Sequence, residues 1–402
     1  MALTRLSDEQ MKGFIRDGYI AVKTGLPAEA HQDIWDKTET LFETEGNPGN
    51  NLMARIPEVR KIFDDPTVDG ALAGVLGDNY FMHPHRHCHI NRAGQPAQGW
   101  HKDSYWGFMK VRHHRPWWAM IFYYPQDVTL ENGPSSVVPG SQYYEDATLG
   151  AEEPGVPVLG EAGTVMLIQY DVWHRAAANA SSKNRYMLKF QFVRTAPPIP
   201  SVHPTTPWRR PEHFEPTNDH DVVWGAMWDW THGTRSRLCL AAEEVGALVD
   251  GLKAEESSER ASAADRLGTL GSAAAEAVSH LSEALTDVHE PVRINAAYAL
   301  SAIGPDAVPS LEAVFAENSE LATRYAAMAC AGLGSAGVPL LIDAIDRPEA
   351  SNRDHVAHAL GEIGPDAQAS ICNSCSSATT ARVGAGFDQG TPRIADLRAQ
   401  LR

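Results

Sequence analysis

Apolar positions recur at helical spacing in two blocks near the start of the chain, separated by a short alternating run. The stretch LSDEQMKGFIRDGYIAVKTGLPAEAHQDIWDKTETL (6–41) therefore predicts a helix, a strand at Tyr19–Val22 and a second amphipathic helix. Ser7 with Gln10 three residues on is a capping-box pair at the first helix. From about residue 80 to 195 the period falls to two, and Gly, Pro and Asn punctuate short runs at 91–96, 131–134, 139–141 and 160–163. Many short strands without intervening helices predict a double-stranded β-helix, or jelly roll, with flanking helices rather than a parallel α/β sheet. Trp117–Tyr124 and Thr164–Tyr170 are its expected inner strands. In the run from Arg185 to Phe192, Arg185, Met187, Lys189 and Gln191 share one face, while Tyr186, Leu188, Phe190 and Phe192 share the other. One face can line a polar cavity while the other packs in a core.

Residues 196–235 are rich in Pro and aromatics, which predicts an extended segment packed across the first domain. Beyond residue 240 the composition turns to Ala, Leu, Gly and Glu, and an internal repeat begins. The lines AAYALSAIGPDAVPSL (296–311), AAMACAGLGSAGVPLL (326–341) and VAHALGEIGPDAQASI (356–371) superpose, with a weaker copy, AADRLGTLG, at 263–271. Each has a helix, a Leu/Ile-Gly stop and the start of a second helix, the signature of a stacking αα-hairpin. These lines resemble HEAT-like repeats of the short type found in phycobilin lyases and many bacterial proteins. The resemblance implies an all-α solenoid used for contact, either with a protein partner or in self-association. The expected organisation is a jelly-roll domain over 1–235, the repeats over 241–370 and a polar tail over 371–402.

Composition narrows the function. At 402 residues the chain exceeds what one core comfortably serves. A formal charge of −17 with no long basic run disfavours nucleic acid, anionic membranes and a multiply charged coenzyme A ester. The densest apolar run, Trp117–Tyr124, is too short to span a bilayer, and no secretory signal is visible in MALTRLSDEQMKGF, so a cytoplasmic protein is expected. Five scattered cysteines argue against a disulfide framework, and Cys372 and Cys375 lack the second ligand pair a zinc site needs.

The candidate chemistry lies in GWHKDSYW and DVWHRAAAN. His101 and Asp103, two apart on a strand, point the same way and can share a metal ion. His174, brought alongside by the jelly roll, would complete two imidazoles and a carboxylate on one face of an octahedron, the ligand set of non-haem iron(II) oxygenases. His-x-Asp alone is common by chance in a chain with 17 histidines. Spacing strengthens it: Arg185 follows His174 by eleven residues, and its guanidinium suits the distal carboxylate of a dicarboxylic acid, here 2-oxoglutarate. The odd-numbered residues His83 to His89 place four imidazoles on the face of Asn91, which admits a second metal or a hydrogen-bonding pocket mouth. Glu131–Ser136 and Val138–Ser141 read as a turn that fixes the backbone, with Ser135 or Ser141 available to a ligand.

Four segments, LSDEQMKGFIRDGYIAV, HINRAGQPAQGWHKDSYWG, ENGPSSVVPGSQ and DVWHRAAANASSKNRYMLKFQFV, together resemble the phytanoyl-CoA dioxygenase family across residues 5–235. The resemblance implies iron(II) held by His101, Asp103 and His174, 2-oxoglutarate held by Arg185, and O2 as co-substrate. It also implies that Asn91 and Trp117 stand near 2-oxoglutarate. Halogenating relatives replace the carboxylate ligand with a small residue. Asp103 is intact, which implies oxidation of a small organic substrate by hydrogen abstraction, as in hydroxylation, desaturation or ring formation. The alternatives are a cupin-like metalloenzyme without 2-oxoglutarate chemistry, which leaves Arg185 no task, and a silent scaffold whose repeats grip a partner.

Overall fold

The structure, a computed structural model, describes residues 2–103, 114–145, 155–199, 206–214, 218–234, 245–347 and 353–367. The chain divides into two compact units, one of Met1–Phe214 with Trp224–Ser236, the other of Glu215–Val223 with Arg237–Arg402.

In the first unit α1 (Asp8–Asp17) starts at Ser7, whose side chain accepts from the Gln10 amide while the Gln10 side chain accepts from the Ser7 amide. Gly18, at φ 77°, ends the helix in the left-handed region where glycine has no steric penalty. The chain then enters β1 (Tyr19–Lys23) and α2 (Ala28–Thr44). Short helical turns and α3 (Pro66–Leu76) lead to β2 (Tyr80–Asn91). The remaining strands are β3 (Trp118–Tyr124), β4 (Ser135–Val137), β5 (Val156–Pro157), β6 (Thr164–Gln169), β7 (His174–Ala176) and β8 (Arg185–Arg194). They form a five-stranded sheet in the order β1-β6-β3-β8-β2 and a three-stranded sheet in the order β5-β4-β7, paired antiparallel throughout. This is the double-sheet jelly-roll architecture with flanking helices expected from the period-two pattern.

The alternation in β8 sorts its side chains as the sequence implies. Tyr186 meets Trp35 and Phe42 of α2, and Phe190 meets Phe63 edge-on with ring centroids 4.7 Å apart. Aromatic pairs of this kind contribute about 0.5–1.5 kcal/mol each beyond their buried area. On the opposite face Met120, Phe122, Met166, Ile168 and Met187 pack into a core between the sheets. β2 is an edge strand, and its register against β8 shifts between Met82 and Arg86, around Pro84, which cannot donate to the ladder.

One expectation for 196–235 is corrected. Residues Asp221–Thr231 form a helix, α4, not an extended segment. The prolines end at Pro216, and from Asp221 the run DVVWGAMWDWT offers apolar residues at helical spacing. Trp208 stands against Trp224 and Trp228 of this helix.

The second unit is helical: α5 (Val245–Gly251), α6 (Ser257–Leu270), α7 (Val278–Ala284), α8 (Glu290–Ile303), α9 (Val308–Glu317), α10 (Glu320–Leu333), α11 (Val338–Asp346) and α12 (Arg353–Ile363). Gly271, Gly304, Gly334 and Gly364, each at positive φ, follow the longer helices, as the repeated Leu/Ile-Gly stop predicts. The polar tail, with Cys372 and Cys375, lies outside the described residues.

Candidate active site

His101 and His174 are directly opposite each other across an antiparallel bridge. The His101 amide donates to the His174 carbonyl (3.1 Å) and the His174 amide to the His101 carbonyl (3.0 Å). The two rings consequently lie 4.5 Å apart, centroid to centroid. Asp103, two residues on, falls on the same side, and one ligand atom from each of the three lies within 4.8 Å of the others. Asp103 and His174 are buried.

The hydrogen bonds around the imidazoles match what a metal ion requires. His101 Nδ1 donates to the Gly99 carbonyl (3.1 Å) and His174 Nδ1 to the Val172 carbonyl (3.0 Å). A carbonyl only accepts, so each Nδ1 is the donor and Nε2 is the nitrogen left to face a metal. Burial pushes the His174 pKa down to about 4, which keeps the ring neutral. Burial alone would raise the Asp103 pKa, but His174, Lys189 and His101 together hold it below its ordinary value, so the carboxylate is charged. Two imidazoles and a carboxylate are a donor set suited to a divalent first-row metal.

His101 and His174 line a cleft, and Asp103 stands beside it against the lining residue Lys189. Arg185, Met187 and Lys189 line it from β8. Arg185 is 1% exposed, and its Nε and one terminal nitrogen both donate to the Gly133 carbonyl, at 3.0 and 2.6 Å. This grip fixes the plane of the guanidinium. Asn91, opposite Arg185 in the β2–β8 register, also lines the cleft and donates to Gly133 (3.1 Å) and Ala177 (2.9 Å) carbonyls. Its Oδ1 is buried without a partner among the described residues.

Gly133 is thus a structural centre that the sequence presented only as a turn. Its φ is +72°, and a Cβ there would come within 2.2 Å of Asn91 Nδ2. Ser135 lines the cleft, whereas Ser141 is architectural, its Oγ donating to the Val138 carbonyl and accepting from the Trp173 amide. Trp117 does not line the cleft. Phe122 faces the cleft from β3, and Trp117, of opposite parity just before that strand, stands against Trp230 with centroids 5.4 Å apart. Of the four imidazoles on β2, His89 reaches the cleft, while His87 is hydrogen-bonded to Asn47 and His83 packs on Trp118. Among the described residues, three ligands of metal-binding type gather at His101, Asp103 and His174 and not on β2. Sequence reasoning placed Lys189 on the polar face but missed its contact with Asp103 Oδ2.

Residues 14–187 match the family model described as phytanoyl-CoA dioxygenase, and residues 245–331 match that of HEAT repeats. Residues 14–187 are a phytanoyl-CoA dioxygenase domain. It is similar to the dioxygenase af480 of Aspergillus fumigatus, 25% identical over 173 residues, which is 40% of this chain and 53% of that protein. It is also similar to the dioxygenase andF of Emericella variicolor, 40% identical over 60 residues, which is 15% of this chain and 21% of that protein. The chain therefore spans about half or less of these curated relatives. Among solved structures, EctD from S. alaskensis with 2-oxoglutarate and 5-hydroxyectoine is similar at a TM-score of 0.38 and 18% identity, over 47% of this chain and 76% of that one. The α-ketoglutarate dependent carbocyclase SnoK from nogalamycin biosynthesis is similar at a TM-score of 0.40 and 18% identity, over 48% and 87% of the two chains. The dioxygenase domain contains the trio and Arg185 within its matched residues.

Proposed function

We propose that the chain is an iron(II)- and 2-oxoglutarate-dependent dioxygenase that oxidises a small organic substrate by hydrogen abstraction. The observation that carries the reading is the convergence of the His101–Asp103–His174 trio and the Gly133-anchored Arg185 on one cleft of a phytanoyl-CoA dioxygenase domain. Iron(II) held by the trio, with 2-oxoglutarate and O2, supplies the oxidising power and releases succinate and CO2.

The protein's own contribution is binding and orientation. His101 and His174 present Nε2 because their Nδ1 protons are engaged by backbone carbonyls. Asp103 supplies negative charge. Arg185 takes the distal carboxylate of 2-oxoglutarate by charge-assisted hydrogen bonds, and the Gly133 carbonyl sets its angle. The apolar wall of Phe122 and Met187 excludes water from the reacting carbon. An intact Asp103 favours hydroxylation, desaturation or ring formation over halogenation. The HEAT repeats form a separate helical unit, which we assign to contact with a protein partner or a second copy of the chain.

Anaerobic loading with iron(II) and 2-oxoglutarate, followed by oxygen, should yield succinate only when both are present. Iron-bound protein that makes no succinate, with or without candidate substrates, would sink the enzyme reading and favour a scaffold.

A further inference from the structure

Lys189 is a buried cation of the cleft that the proposed chemistry leaves without a task. It is 5% exposed, sits midway along β8 opposite His87 of β2 and Phe122 of β3, and touches Asp103 Oδ2. A lysine so deeply buried is rare unless it is paired. Asp103 is its ion-pair partner here, yet the same carboxylate is the one that iron would share.

Charge in the cleft shows what is missing. Arg175, Arg185 and Lys189 bring positive charge to the cleft, no acidic residue is among the described residues that line it, and Asp103, against Lys189, brings one negative charge. The dianion of 2-oxoglutarate offsets a divalent metal ion. Positive charge then remains in excess in a buried space, where an unpaired charge is costly. An ammonium has three N–H donors, and the described residues account for one of Lys189's, on Asp103. Arg175 adds to this excess, but its guanidinium lies over the Trp100 ring, 4.3 Å from the centroid, whereas Lys189 stands against the metal-ligand candidate Asp103.

We infer that Lys189 is the specificity-determining residue of the cleft and that the substrate is an acid, bound by a carboxylate on the Lys189 ammonium. The inference rests on the proposed iron and 2-oxoglutarate site. A carboxylate there lowers the excess of positive charge and, because Lys189 touches Asp103, places the oxidised carbon within a few bonds of itself. The chain's acidic surface does not oppose this, since charges farther than about 8–10 Å through salt water are screened, whereas the buried ammonium is not.

The test uses the full chain loaded anaerobically with iron(II) and 2-oxoglutarate. Linear and aryl monocarboxylic acids are titrated against their matched primary amides, and binding is read by tryptophan fluorescence and thermal shift. The native protein should prefer acids to their amides by about tenfold or more, as expected for one charge-assisted hydrogen bond. Lys189→Met should erase the preference and Lys189→Arg should keep most of it. Iron content and 2-oxoglutarate binding are measured on each variant, and the ratios are compared between variants that keep both, so that loss of the metal does not imitate the result. No acid bound better than its amide by the native protein, or a preference that survives Lys189→Met, would overturn the inference. Failure of the native protein to bind 2-oxoglutarate is a different outcome, one that removes the oxygenase reading beneath it.

Discussion

In the jelly-roll unit, His174, Asp103, Lys189 and Arg185 are buried with metal- and ligand-binding atoms gathered at a cleft, whereas in the helical unit His220, Asn295 and Asp265 are buried with their polar atoms engaged by one another and by backbone. His220 Nδ1 pairs with Asn295 Oδ1, Asn295 donates to the Asp219 (2.8 Å) and Ala261 (2.9 Å) carbonyls, and Asp265 accepts from the Val222 amide (2.8 Å). Burial pushes His174 and His220 alike to about 4. A perturbed imidazole therefore does not by itself identify a functional site. What separates the two is the lone pair at His174 Nε2, which has Asp103 and His101 around it and a cleft in front of it.

The largest effects should break this contrast directly. His174→Ala or Asp103→Ala should lower iron affinity by more than about hundredfold, beyond what losing a supporting hydrogen bond costs. Iron content after dialysis reads it. His220→Ala, equally buried, should leave iron content alone and lower the melting temperature of the helical unit. Equal iron in His174→Ala and native protein would remove the metal assignment. Next in size, Arg185→Leu should weaken 2-oxoglutarate binding by about an order of magnitude or more, measured by calorimetry under nitrogen. Unchanged affinity would return Arg185 to a purely structural role at Gly133.

Gly133→Ala tests whether the turn is part of the site. The new Cβ would meet Asn91 Nδ2 at 2.2 Å and the Ala177 carbonyl at 2.8 Å, and the backbone is held at φ +72°. A cost of about 3 kcal/mol is expected, the upper end for a strained backbone position. Because the Gly133 carbonyl grips Arg185, 2-oxoglutarate affinity should fall as well. A destabilised variant that binds 2-oxoglutarate normally would separate the turn from the site.

Residues whose role follows from strand parity were legible in the sequence: Arg185 and Lys189 share a face because alternate side chains do, and His101 and Asp103 likewise. Family motifs added His174. The direct pairing of His101 with His174 was not legible, since register between strands distant in sequence depends on the whole sheet. Nor was the contact of Lys189 with Asp103, which needs β3, β8 and the bridge at His101 in place together. Trp117, which the resemblance implies stands near the co-substrate, is not among the residues lining the cleft, where Phe122 of opposite parity is. In the helical unit the repeat gave each Gly stop at its position because the signal is local and recurs. The helix at Asp221–Thr231 was missed because prolines upstream dominated the reading.

The smallest effect expected sharpens the comparison from the side of the helical unit. Burial, with Asp221 and Asp219 nearby, raises the Asp265 pKa from 3.8 to about 8, while burial lowers His220 from 6.5 to about 4. Between about pH 4 and 6.5 the folded state holds a proton on Asp265 that the unfolded chain has lost, so this group makes stability fall as pH rises. Over the same window the unfolded chain holds a proton on His220 that the folded state refuses, which makes stability rise. His289, also lowered by burial, acts in the same direction as His220. The opposing contributions largely offset each other up to pH 6.5. From 6.5 to about 8 Asp265 acts alone, and the helical unit should lose roughly 2 kcal/mol at 1.36 kcal/mol per pKa unit. In Asp265→Asn, whose amide can still accept from Val222, stability should climb to pH 6.5 and then stay level. Melting of the full chain followed by helical ellipticity distinguishes the two curves, and a native protein whose helical transition is level from pH 6.5 to 8 would mean that Asp265 is charged in the fold.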